Sequence, residues 1–487
     1  MAYDALSRTP RGLSEFPVEV LSMVCSYLCL HCRPDTKIPI YEIDDCRRKN
    51  RKALVALSAT CRTFRDLAQP LIYHFVPYLP GVEKFPKLVR TLEERPDLAR
   101  QVKRICRDPN TACGWDILEE EEVELIKSVA RRLGMEREDD ADFEDAEEAD
   151  MSAEELCFEV LVAMLPNLES LEITLEQYHI RAEDPHFIYL QERYDKLKSA
   201  AASAHLQHLI FDGDWGFNVD NRAITSFLNI SPNLEHFQLL GCFSPSSGRV
   251  FRDSMERPLR VVEMDRCFLR EEPASHTFLR DIIAHAPNLQ RFGYSLGASW
   301  AESEGINQLL SAPGFLACLQ PVQSSLTSLD IDFTAHSYET LPRHVLKKGS
   351  LRAFSKLEKL HLDDTSICIH HHEKEAASSC LVDNIPPNLH TLKLRVYQDT
   401  SIWGDLEKLS ADIQRFPHLK ELVVNVTTQS YDKDIELEEV RSMIFSHGRE
   451  LATALLRSSV AFTLLFDWEP ISIPVVQMNS DELLGKE

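Results

Sequence analysis

Two groups of side chains in this chain have the chemistry to hold a metal ion. The first is Cys29-Leu30-His31-Cys32, a Cys-x-x-Cys pair enclosing a histidine, with Cys25 and Cys46 on either side. Thiolates at this spacing bind zinc when a second pair completes the tetrahedron. No second pair follows in the sequence, because Cys46 stands alone and Cys25 falls on the apolar face of a helical pattern. The second group is Cys368, His370, His371, His372 and Glu373. Adjacent histidines point in different directions and share one ion poorly, so this cluster reads as an exposed loop. The expectation is therefore no metal and no cofactor. Catalytic patterns are also missing: there is no Gly-x-Ser-x-Gly, no Gly-x-x-x-x-Gly-Lys-Ser/Thr and no His-Glu-x-x-His. Carboxylates abound, but without a placed partner they are not an acid/base pair. The chain reads as a non-catalytic protein, and a metal-dependent hydrolase built on the two clusters is the enzyme alternative.

Composition narrows the partners. The 487 residues carry a net charge of −24, with 44% apolar residues, enough for a sizeable core. Residues 1–106 hold eighteen Lys and Arg against twelve Asp and Glu, whereas residues 119–155 hold four against seventeen. Nucleic acid is a poor partner for so acidic a chain, because phosphate contacts need a basic surface. No apolar run is long enough to span a membrane, and the first residues lack the hydrophobic centre of a signal peptide. These features lead us to expect a cytoplasmic or nuclear protein without a membrane partner. The thirteen cysteines are scattered over apolar positions such as Cys25, Cys61 and Cys157, as reduced core thiols would be. Arg47 to Lys52, RRKNRK, matches a nuclear-import patch in composition and equally a solvated loop.

The elements that would position any of this begin near the N-terminus. Val20, Val24 and Leu28 recur four apart with Leu21 and Cys25 beside them, and Pro17 suits a first helical turn. Leu54, Leu57, Cys61, Phe64, Leu67 and Leu71 repeat at three- and four-residue steps, with Arg62, Arg65 and Asp66 turned away. Two amphipathic helices this short need a neighbour to cover their apolar faces.

These residues resemble an F-box in its fungal form. The resemblance rests on Leu13, Phe16-Pro17, Val20-Leu21 and Tyr27-Leu28, then Leu54, Leu57, Thr60-Cys61-Arg62, Phe64, Leu67, Pro70-Leu71 and Tyr73. It implies a helical domain over residues 10–75 that docks on a Skp-type adaptor, and through it on a cullin scaffold and a ubiquitin-transfer machine. The adaptor-binding candidates it implies are Leu13, Phe16, Pro17, Val20, Leu21, Val24, Leu28, Leu54, Leu57, Cys61, Phe64 and Leu67. Which of these touch the adaptor and which pack inward stays open. The linker between the half-motifs is longer than the family's usual turn. Pro34 and Pro39 argue against a continued helix there, so residues 29–52 are expected to form a surface loop. An ordinary helical cap on the next domain is the competing reading.

Residues 76–135 read as a helical linker, with Leu88, Leu92, Leu98, Val102 and Ile105 at helical steps and Pro96 as a break. Residues 136–150 hold ten acids in fifteen positions and are expected to be disordered. From 156 to 470 the chain repeats. Nine segments of the form Leu-x-x-apolar-x-apolar start at Leu168, Leu206, Leu234, Leu259, Leu289, Leu326, Leu357, Leu389 and Leu419, at steps of 25 to 38 residues. Several follow a helix-like run ending in Pro-Asn or Pro-His, where proline stops the helix and alternation starts a strand. One strand and one return helix per unit is the leucine-rich-repeat pattern, here degenerate, with Cys242 and Cys267 in the motif's closing position. The fold expected is α/β: a helical F-box followed by an irregular solenoid, closed by a helix and strand in residues 450–476.

Solenoids bind with the residues between and after the strand's inward positions. Here those positions place Glu263, Asp265, Asp330, Asp332, His361, Asp363, Lys393 and Arg395 on one concave face. The acids lead us to expect a protein cargo with a basic segment, and solvated polar filler is the competing reading. The combined expectation is the substrate-recognition subunit of an SCF-type ubiquitin ligase. The alternative is a repeat scaffold with no ligase role.

Overall fold

In a computed structural model of the chain, the described residues are 16–29, 31–32, 40–76, 85–107, 118–135, 157–174, 205–218, 222–244, 250–251, 256–296, 309–333, 346, 349–367, 381–397, 401–429, 437–455, 458, 460–469 and 476–479. Leu13, the acidic segment 136–150 and the cluster from Cys368 to Glu373 lie outside them. The chain divides into two compact units. One comprises Met1–Leu175, Glu183–Ile210 and Ser226–Asn233; the other comprises Glu176–Ala182, Phe211–Thr225 and Leu234–Glu487.

The first unit opens with three helices: α1 (Val18–Leu28), α2 (Ile40–Thr60) and α3 (Arg62–His74). Pro17 starts α1, its carbonyl accepting the amides of Val20 and Leu21 at 3.0 and 3.1 Å. The apolar stripes meet as their spacing requires. Leu21 and Cys25 pack with Leu54, Phe64 and Ala68, and Leu28, Leu57, Cys61, Leu67, Leu71 and Ile72 close the margin. Burying each large side chain contributes about 1.5–3 kcal/mol, and this small core holds the trio together.

Two expectations need correction. The loop assigned to residues 29–52 is shorter, because α2 is already helical at Ile40 and runs unbroken through Arg47–Lys52. Proline disfavours helix in the residue before it and tolerates helix after it, so Pro39 marks a start, and the Glu, Arg, Lys and Ala that follow are good helix formers. Residues 33–39 fall outside the described set. Second, the helical linker contains strands as well as α4 (Phe85–Glu94), α5 (Pro96–Ala99) and α6 (Glu120–Arg132). Strand β1 (Phe75–Val76) pairs in parallel with β2 (Arg104–Arg107), and β2 pairs with β3 (Ser170–Thr174), matching Ile105 to Leu171. In that register Val102 takes the place that Leu168 holds one unit later. Val102 and Ile105 satisfy the helical and the strand template alike, so periodicity alone could not separate them.

All nine repeat segments are strands that begin two residues after their first leucine. After β3 come β4 (His208–Asn218), β5 (His236–Phe243), β6 (Val261–Asp265), β7 (Arg291–Ser295), β8 (Ser328–Asp332), β9 (Lys359–Asp363), β10 (Thr391–Tyr397) and β11 (Glu421–Gln429). The nine leading leucines are all buried. Within the second unit, β5 to β11 lie side by side in chain order, each parallel to the next, and β12 (Ala461–Glu469) follows β11 in the same sense. The residue after each leucine donates its amide to the carbonyl of its counterpart one unit back: Arg260 to Glu235, Gln290 to Arg260, Thr327 to Gln290, Glu358 to Thr327, His390 to Glu358 and Lys420 to His390, at 2.7–2.9 Å. That recurring bond sets the register of every strand it precedes. The chain returns through α7 (Arg222–Ile230), α8 (Pro273–Ala284), α9 (Ala312–Leu319), α10 (Leu381–Asn384), α11 (Ser401–Ala411) and α12 (Leu437–Leu455). The closing helix and strand expected at the C-terminus are α12 and β12. A further strand, β13 (Val476–Asn479), runs antiparallel along β12. Among the described residues no helix is long and apolar enough to cross a membrane.

Candidate interaction surfaces

The helical trio sorts its residues by burial. Leu21, Leu54 and Phe64 face the internal core, and Leu28, Leu57, Cys61 and Leu67 are half-buried against it. Phe16, Val20 and Val24 are exposed, as is Pro17 at the start of α1. Of the candidates named from sequence, these four remain on the surface. Val18, Met23, Tyr27 and Val55 join them, with Met23 and Tyr27 the most open at 71% and 68% exposed. Among the described residues, every large hydrophobic side chain with such exposure lies on α1, its approach or α2. The periodic stripe found the packed face. The exposed apolar residues fall on the opposite side of the same helices, where a polar face was anticipated, and the only sequence signal for them was their resistance to the 3.6-residue pattern.

On the second unit's strands, core and open positions alternate, and most of the expected cargo-facing residues lie on the open side. Their charges are largely matched by neighbours. Glu263 meets Arg291 at 2.5 Å and His236 at 3.3 Å. The neighbouring His236 and then Arg291 outweigh burial and hold the Glu263 carboxyl below its usual range. Asp330 meets His361 at 2.9 Å, and buried Asp332 accepts a hydrogen bond from Arg395 at 2.8 Å. Burial alone would lower the His361 pKa, but the hydrogen bond to Asp330 and the charges of Asp330 and Asp332 hold it above the ordinary value. Asp265 accepts from the Ser295 hydroxyl and keeps a half-exposed side chain. Lys393 is exposed.

Asp363 departs from the expectation. It is fully buried and accepts three hydrogen bonds at 2.9 Å, from the amides of Phe333 and Ser366 and the hydroxyl of Ser366. It caps the turn that follows β9 and does not present its carboxylate on the open face. Cys242 and Cys267 are likewise buried, and burial pushes the Cys242 thiol well up, which suits an inert core position.

The Cys-x-x-Cys pair has gained neighbours. Cys29, His31, Cys32 and His74 bring one ligand atom each to within 4.8 Å of one another. His74 ends α3, more than forty residues from the pair, so sequence spacing could not bring it in. A second group, Glu407, His447 and Glu450, is more open to solvent.

No family model matches the chain, and no curated protein matches it. Among solved structures it is similar to a Bacteroides fragilis protein, at 15% identity and a TM-score of 0.28 over 58% of this chain. The chain spans 64% of that protein's length.

Proposed function

We propose that this chain is the substrate-recognition subunit of an SCF-type ubiquitin ligase, docking through its first three helices on a Skp-type adaptor and holding a protein cargo on its repeat strands. One observation carries the reading: the exposed apolar side chains Phe16, Val18, Val20, Met23, Val24, Tyr27 and Val55 gather on the segment that resembles an F-box. Contiguous exposed apolar surface of this kind marks a protein-docking site. The leucine-rich-repeat character of the strands supports the second half, since stacked repeats offer an extended open face for a partner. Cargo would meet that face where its charges are most accessible, at Asp265 and Lys393. The subunit itself makes no bond. It raises the local concentration of the cargo's lysines beside a ubiquitin-loaded partner.

The test is co-expression of the full chain with a Skp-type adaptor, followed by affinity measurement on the purified proteins. Met23→Lys with Tyr27→Lys should weaken the complex by at least tenfold, because truncated hot spots cost about 2 kcal/mol or more. Arg131→Ala on α6 serves as the control. A folded wild-type chain that ignores the adaptor would demote the trio to a cap and leave a repeat scaffold without a ligase role.

A further inference from the structure

We infer that Cys29, His31, Cys32 and His74 hold a structural zinc ion that clasps the end of α1 to the end of α3. Helix α1 stops at Leu28, and Cys29 turns out of it in an extended conformation. The Cys32 amide then donates to the Cys29 carbonyl at 3.1 Å, a tight turn that folds the two thiols towards one side. Into that side α3 delivers its last residue. His74 Nδ1 lies 3.4 Å from Cys32 Sγ and 3.8 Å from Cys29 Sγ, while His31 Nδ1 lies 3.8 Å from Cys32 Sγ. With zinc–sulfur and zinc–nitrogen bonds of about 2.3 and 2.0–2.1 Å, tetrahedral ligand atoms stand about 3.3–3.8 Å apart. The four side chains therefore need only a slight contraction to close around one ion. The two imidazole rings are nearly perpendicular, at 87° with centroids 5.4 Å apart, so they approach the centre from different directions.

The outer contacts fit the same role. His31 Nε2 faces Glu169 Oε2 at 3.1 Å, and Glu169 Oε1 is held by Lys103 Nζ at 2.5 Å. A carboxylate on the far nitrogen fixes the ring and its tautomer and leaves Nδ1 to face the ion. The His74 carbonyl accepts the Lys103 amide at 3.0 Å, which ties the same ligand to the entry of β2. Two thiolates and two imidazoles select zinc over hard cations such as magnesium or calcium. Four protein ligands leave no open coordination position, so the ion's role is structural. The inference does not depend on adaptor docking, and metal content reads it separately.

The full chain, expressed in zinc-supplemented medium and purified without chelator, should carry one zinc per molecule by elemental analysis. Replacing that ion with cobalt(II) should give tetrahedral ligand-field bands and thiolate charge-transfer absorption. Cys29→Ser with Cys32→Ser should lose the metal, as should His74→Ala, whereas Cys318→Ser should keep it. Glu169→Gln should retain the tetrahedral spectrum while weakening zinc affinity about 10–100-fold. If the cysteine variants do not fold, wild-type stoichiometry and the cobalt spectrum decide alone. A wild-type chain that is metal-free and gives no tetrahedral cobalt spectrum overturns the inference. So does a Cys29–Cys32 disulfide in the native protein, or zinc retained by the double serine variant.

Discussion

Replacing Asp363 tests the second unit at a point where burial and charge meet. Its carboxylate receives three hydrogen bonds in a fully buried setting, two of them from backbone amides that have to be satisfied somewhere. Asp363→Ala removes the acceptor and leaves the Phe333 and Ser366 amides orphaned, each costing about 1–3 kcal/mol, so the loss should be about 3–5 kcal/mol. Asp363→Asn keeps one acceptor oxygen but turns an amide group towards donors, and should cost about half as much. In domains of 150–250 residues each kcal/mol moves Tm by about 2–4 °C, which places the alanine variant about 10 °C below wild type. Calorimetry of the full chain reads the shift, and hydrogen exchange should show lost protection at Phe333 and Ser366. The half-exposed Asp265→Ala should change Tm by no more than about 1–2 °C. An Asp363→Ala protein that melts with the wild type and still protects both amides would refute the capping role.

The His361 pair predicts a pH dependence of definite sign. Its folded pKa is raised above the ordinary value, so the stabilisation is fully present below the unfolded pKa and is lost as pH rises through the folded one. Stability of the second unit should therefore fall from mildly acidic to mildly alkaline solution, and Asp330→Asn should flatten that slope and lower the His361 pKa seen by NMR titration. Two glycines give a paired prediction. At Gly241, with φ +71°, an added Cβ would stand 2.1 Å from the Gly213 carbonyl oxygen, whereas at Gly349, with φ +81°, it would meet open space. Gly349→Ala should cost only the left-handed backbone penalty of about 1–2 kcal/mol, and Gly241→Ala clearly more, as a larger drop in Tm or a loss of soluble protein.

Much of this architecture was legible because the chain repeats. A leucine two residues before each strand is a local signal, written nine times, and the structure uses every instance. Val102 and Ile105 were misplaced because three apolar positions fit a helix and a strand equally well until a partner strand is seen. Asp363 shows the opposite limit. Strand alternation puts it on the open face, but its carboxylate answers to two amides, one of them thirty residues earlier at Phe333. No one-dimensional pattern records such a bond. His74 beside Cys29 and Cys32 is the same case in the first unit, since the end of α3 meets the end of α1 only after the three helices have packed. Exposure on α1 was hidden for a simpler reason: the helix is apolar on both sides, and periodicity identifies only the side that packs.

The chain-order pairing of β5 to β12 also bears on how the protein is made. Each strand needs only the one before it, about thirty residues back, so no step has to close a long loop, and the entropic cost of each addition stays small. In most parallel sheets a strand must wait for distant partners, and this delays assembly and leaves unpaired edges open to other chains. Here the order in which the ribosome releases the strands is the order in which they lie in space. The growing edge is always the newest strand, and β13 is the last piece synthesised, arriving in the reverse direction to cover the edge that would otherwise remain open.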